Sequence, residues 1–72
     1  MNDRNLYVIR NLKTNKFYYK NDIWVDDLGE AHLYRYKFVA KRRSRFLNDE
    51  FKDTGNIDAV VFEVHIKLGM PL

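Results

Sequence analysis

Across residues 57–68, apolar side chains fall at every second position. Val60, Phe62, Val64, Ile66 and Leu68 alternate with Val61, Glu63, His65 and Lys67. A period of two belongs to a strand with one buried face, so the pattern predicts a strand that needs a second layer to cover it. The first set is expected to face that layer, with Phe62, Val64 and Ile66 as the buried spine of the core. Residues 69–72 read as a tail.

The covering layer lies upstream. Residues 37 to about 51 predict one long helix: Val39, Ala40, Phe46, Leu47 and Phe51 fall in one arc of the helical wheel. Lys41, Arg42, Ser44, Arg45, Asn48 and Asp49 fall opposite, and Arg43 and Glu50 intrude on the apolar arc. Residues 53–56, Asp-Thr-Gly-Asn, end the helix and turn the chain. Residues 6–12 and 16–20 are rich in Tyr, Phe, Val and Ile and predict a hairpin. Two registers are open. A two-residue loop at Thr14-Asn15 sets Arg10 opposite Tyr19. A three-residue loop with Asn15 left-handed sets Leu12 opposite Lys16 and Arg10 opposite Tyr18, and is preferred because it gathers Tyr7, Ile9, Phe17 and Tyr19 on one face. Residues 26–31 predict a short helical turn capped by Asp27, with Glu30 reaching back to complete a capping box. Residues 32–36 alternate and predict the third strand. The fold class is α+β: a small antiparallel β-sheet in the order β-β-β-α-β, one helix across one face, and a short helical turn.

At 72 residues the chain has room for a single domain, 1–72, and none for a cleft between domains. It has no cysteine, which excludes disulfide staples, Cys-ligated zinc and thiol catalysis. His32 and His65 fall in no metal-ligand spacing, and no metal or cofactor is expected. Thr14, Ser44 and Thr54 lack the surroundings of an activated nucleophile. Asp26 and Asp27 read as cap residues, and Gly29, Gly55 and Gly69 form no phosphate loop. The chain is not expected to be an enzyme. Its N-terminus has no apolar segment resembling a signal peptide, and no apolar run is long enough to span a bilayer, so a cytoplasmic protein with no membrane partner is expected.

Charge is unevenly spread. Arg35, Lys37, Lys41, Arg42, Arg43 and Arg45 lie in an eleven-residue stretch free of acids, and the remainder holds 7 cations and 10 acids, a net −3. A helix face carrying Lys41, Arg42 and Arg45 could lie along phosphates, meet an acidic protein, or simply be solvated. The aromatics are too many for so small a core. Tyr18, Tyr34 and Tyr36 are expected on exposed surface, as at many protein interfaces, and Trp24 in a minor core beneath residues 22–31. One helix covers one face of a sheet, so Leu6, Val8, Tyr18 and Leu33 are candidates for the open face.

The run Tyr7-Val8-Ile9-Arg10-Asn11-Leu12-Lys13-Thr14-Asn15-Lys16-Phe17-Tyr18 is followed by Trp24, by Asp27-Leu28-Gly29-Glu30-Ala31-His32-Leu33-Tyr34, and by a basic helix with Ala40. This pattern, over residues 6 to about 47, resembles small early or accessory proteins of bacteriophages and prophages, with Asn15 where glycine is common. The resemblance implies a protein that binds and blocks a host or defence protein, and no catalytic residue. Together these features predict a non-enzymatic accessory protein that binds and inhibits or redirects a host or defence protein with an acidic surface, through Lys41, Arg42, Arg45, Tyr18, Tyr34 and Tyr36. The alternative is a sequence-tolerant nucleic-acid-binding module using the same basic helix. A homodimer is compatible with either.

Overall fold

A computed structural model describes residues 3–67, and the side chains of residues 5–65 among them. The order is β1 (Asp3–Asn11), β2 (Lys16–Lys20), β3 (Ile23–Val25), a 3-10 turn at Leu28–Glu30, α1 (Lys37–Glu50) and β4 (Ala59–Lys67). The four strands form one antiparallel sheet in the order β3-β2-β1-β4, with α1 across one face. The α+β class and the element order follow the sequence pattern. The third strand does not: it is Ile23–Val25, not residues 32–36.

Two turns explain that difference. Asn21 and Asp22 both have left-handed backbone, φ 48 and 62, and form the two-residue loop between Lys20 and Ile23. Two consecutive positive φ angles match the right-handed twist of the flanking strands, and Asn and Asp tolerate them best among residues with a side chain. The short run Ile-Trp-Val thus folds back on β2. Residues 32–34 are used differently. β2 splays from β1 after Arg10–Phe17, and Tyr34 enters the fork, exchanging hydrogen bonds with Tyr7 (N–H to C=O at 2.9 Å and 2.7 Å) while His32 N–H donates to Tyr18 O.

The first hairpin takes neither expected register. Arg10 faces Phe17 and Asn11 faces Lys16 across a four-residue loop, with Asn15 left-handed at its end (φ 64) as anticipated. The cause is Asn11. Its side chain is 3% exposed; Oδ1 accepts from Lys13 N–H at 3.0 Å and Asp58 N–H at 2.9 Å, and Nδ2 donates to Asn56 O at 3.1 Å. Asn11 O also accepts from Thr14 and Asn15 N–H. These bonds draw residue 11 to the loop before β4 and lengthen the turn. One residue of slip turns every side chain over, so Tyr18, not Phe17 and Tyr19, joins Ile9 beneath the helix.

The strand phase is also opposite to expectation. β4 pairs with β1 over nine consecutive positions, Val8 opposite Phe62 and Leu6 opposite Val64. The buried cluster is Ile9, Tyr18, Tyr34, Ala40, Leu47 and Ala59, with Tyr7, Trp24, Val39, Phe51, Ile57 and Val61 packed around it. Ala59 and Val61 therefore face α1. Val60, Phe62 and Val64 look to the other side with Leu6 and Val8, and Phe62 is 40% exposed. The side chain of Ile66, and Leu68 with the tail, lie outside the described residues. Alternation pointed to the other phase, although Val60 and Val61 are both apolar. Helix contacts decide it: the Ser44 hydroxyl donates to Ala59 O at 2.7 Å, Asn48 Nδ2 donates to the same oxygen at 3.0 Å, and Asn48 Oδ1 accepts from Ala59 N–H at 2.8 Å. The helix thus buries Ala40, Ser44 and Leu47, while Phe46 is turned out. Small residues at Ala40, Ser44 and Ala59 let helix and strand approach closely enough for these bonds.

Asp27 caps the 3-10 turn, its Oδ1 accepting from Gly29 N–H at 3.2 Å, but no bond from the Glu30 side chain completes a capping box. Trp24 sits edge-on to Tyr18 at 5.2 Å and belongs to the main core rather than a minor one.

Urea denaturation checks this arrangement. Leu47→Ala should lower stability by about 2–5 kcal/mol, whereas Phe62→Ala, half in solvent, should lower it by only about 1–2 kcal/mol; the reverse order is incompatible with this strand phase. Asn11→Ala leaves two N–H groups and a carbonyl without partners, for a loss of about 3 kcal/mol, more than typical for a polar-to-alanine change.

Candidate functional site

The fork that Tyr34 enters opens beside α1 into a groove of about 770 Å³. β2 and its turn supply Tyr18, Tyr19, Lys20, Asn21 and Asp22, the fork supplies His32 and Tyr34, and the helix adds Val39, Arg42, Arg43 and Phe46. Three cations and one carboxylate line it. The floor is built from core side chains: Tyr18 and Tyr34 are 5% and 9% exposed. Neither is the exposed tyrosine that composition suggested, because the sheet register and the fork turn both rings inward. Each still presents an edge to the groove. The His32 ring lies 4.3 Å from that of Tyr34, in an edge-on contact. Burial raises the pKa of the Tyr34 phenol above its ordinary 10.0, the nearby Tyr18 adds to this, and the positive charge of Arg43 pulls the other way.

Tyr36 does lie on the surface. It is the last extended residue before α1, and its ring stands 5.9 Å from that of Phe38. Phe38 is 62% exposed and Phe46 is 51% exposed. Residues four apart on a helix are neighbours on its surface, so Phe38, Arg42 and Phe46 form one stripe. The Arg42 guanidinium lies 6.0 Å from the Phe38 ring centre, and that of Arg43 lies 5.3 Å from the Phe46 ring centre. This stripe borders the groove.

Lys41 and Arg45 are exposed but lie on the other flank of α1. With Ser44, Asn48, Ala59, Val60 and Val61 they line a shallower depression of about 410 Å³. The six candidate residues thus divide. Tyr18, Tyr34 and Arg42 meet at the groove, Tyr36 adjoins it through Phe38, and Lys41 and Arg45 do not. Sequence reasoning missed Phe38 and Phe46 as surface residues, and Lys20, His32 and Arg43 as groove residues. A signal for the first pair was present: Phe38, Arg42 and Phe46 recur every four residues, alongside rather than within the buried stripe Ala40, Ser44, Leu47.

Comparison of the chain with family models, with curated proteins and with solved structures finds no match.

The raised Tyr34 pKa has a signed consequence. A group that holds its proton more tightly when folded contributes stability that is fully present below the unfolded pKa of 10.0 and is lost as pH rises through the folded value. Stability should therefore fall above pH about 10, and Tyr34→Phe should lessen that fall. Phenolate absorbance should lose a component that titrates above 10 in the same variant.

Proposed function

We propose that the chain is a non-enzymatic binding protein of the phage accessory type, which attaches to an acidic surface of a host or defence protein and blocks or redirects it. The observation that carries this reading is the exposed stripe of Phe38, Arg42 and Phe46 beside the groove. Two phenylalanines more than half in water are unfavourable on a helix that faces only solvent. Aromatic rings interleaved with arginine are the composition of energetically dominant interface residues. Guanidinium groups resting on rings are held in place before a partner arrives, so less side-chain freedom is lost on binding. Arg35 and Lys37, exposed before and at the start of the helix, and Lys41 and Arg45 on its other flank, add to a positive field that steers an acidic partner toward this end of the molecule.

The division of the cations favours a protein over a nucleic acid. Arg42 and Arg43 attend the groove, while Lys41 and Arg45 attend the opposite flank. A phosphate backbone is followed by cations along one line, and these lie on two.

The test is capture of partners from host lysate, with and without nuclease, by the parent protein and by Phe38→Ser/Phe46→Ser. A nuclease-resistant protein partner that binds the double variant at least about tenfold more weakly supports the reading, tenfold being about 1.4 kcal/mol. Material lost on nuclease treatment, with affinity falling steeply with salt, replaces it with the nucleic-acid reading. The combined change Lys41→Glu/Arg42→Glu/Arg45→Glu should leave the circular dichroism spectrum intact, since surface charges typically alter stability by only about 0.5 kcal/mol. It should slow association with the partner.

A further inference from the structure

The groove beside α1 gathers positive charge that no carboxylate pairs with. Lys20 stands on the β2 side and Arg42 and Arg43 on the helix side, against one acid, Asp22. Three cations less one carboxylate leave a formal net charge of +2, before His32 is counted. Among the described residues the one ion pair joins Lys16 to Asp26. The groove cations lie against rings instead. Lys20 Nζ is 5.1 Å from the Tyr19 ring centre, and the guanidinium groups of Arg42 and Arg43 are 6.0 Å and 5.3 Å from those of Phe38 and Phe46. A guanidinium that rests on a ring keeps its N–H edge free, and that planar edge matches two oxygens of a phosphate.

Charge alone would admit any anion, and two further features narrow the choice. The first is the aromatic lining: Tyr18, Tyr19, His32, Tyr34 and Phe46 all border the groove. Flat side chains hold a flat ligand by stacking, and stacking on a nucleobase tolerates any base because each has a π-face. The second is Asp22. It is exposed at the end of the left-handed turn, beside Asn21. A carboxylate repels a bare phosphate, but it accepts hydrogen bonds from hydroxyl groups such as those of a sugar. The volume, about 770 Å³, falls within the range of roughly 300–1,000 Å³ usual for small-ligand sites. A phosphate monoester carries about −1.5 to −2 charges at pH 7, which balances the lining.

We propose that the groove is a site for a nucleoside monophosphate. Arg42 and Arg43, with Lys20 from the other side, take the phosphate, the rings take the base, and Asp22 accepts from the ribose hydroxyls. A single phosphate needs cations at one place and not along a line. The division of the helix cations between two flanks, which counts against a polynucleotide, therefore does not count against a mononucleotide. The site does not depend on the protein partner proposed above. It does share Arg42 and Phe46 with the exposed stripe, so a bound nucleotide lies beside the surface offered to that partner.

Calorimetric titration of the chain with the monophosphates of adenosine, guanosine, cytidine and uridine tests this without any partner. At least one should bind saturably, one ligand per chain. The matching nucleoside without phosphate, and inorganic phosphate without a base, should each bind at least about tenfold more weakly. Lys20 and Arg43 are exposed, so Lys20→Gln and Arg43→Gln should keep the circular dichroism spectrum of the parent. Each should weaken the nucleotide by about tenfold. The double change Lys41→Gln/Arg45→Gln, on the other flank of α1, removes as much charge or more and should leave the affinity within about twofold. Four results overturn the proposal. No nucleotide binds saturably up to millimolar concentration; inorganic phosphate binds as tightly as the best nucleotide, which marks a general anion site; the flank double variant loses as much affinity as Arg43→Gln; or phosphotyrosine, which has ring and phosphate but no ribose, binds as tightly as the best nucleotide.

Discussion

The peptide group at Ala59 is where the parts of this molecule are joined. Ser44 and Asn48 reach from α1 to its carbonyl and amide, and one residue earlier Asn11 takes the amide of Asp58. Three side chains from two elements thus hold one turn of backbone. A buried polar group that loses its partner is more costly than a mismatched apolar contact, because its full desolvation is left uncompensated. The helix must therefore present Ser44 and Asn48 inward, and β4 must present Ala59 and Val61 to it. Hydrophobic burial by itself would have accepted the other phase, with Phe62 and Val64 inside.

The surface follows from the same clamp. With Ser44 and Asn48 on the inner face, Phe46 rotates to the flank, in line with Phe38 and Arg42. With Asn11 drawn toward residues 56–58, the first hairpin shifts and carries Tyr18 inward. The fork left between β1 and β2 is filled by Tyr34, and the groove forms there. Exposed aromatics on the helix and the exposed Phe62 on the other face of the sheet are both the outer side of choices made in the core. A chain of this size buries only about 60% of its surface, so apolar groups displaced from the interior come to lie where partners can reach them.

The helix stripe and groove combine rings with guanidinium groups, the chemistry on which the proposed binding of an acidic partner rests.

What the sequence determined by itself was periodic and local. The alternation across residues 57–68, the helix over residues 37–51, the cap at Asp27 and the left-handed Asn15 follow from the pattern of side chains near one another in the chain, and with them the α+β class. The Asn21-Asp22 turn, which makes Ile23–Val25 the third strand, was not read from the pattern, which pointed to residues 32–36 for that strand instead. Only the tertiary structure decided phase and register. Asn11, Ser44 and Asn48 look like surface residues on any wheel or strand pattern, because hydropathy records the penalty of burying an amide or hydroxyl but not the distant backbone group that offsets it. Their partners lie 45 to 47, 15 and 11 residues away. The candidate site was half legible for the same reason: charge and aromatic content are visible in sequence, but which rings face water depends on bonds between elements that come together only in the fold.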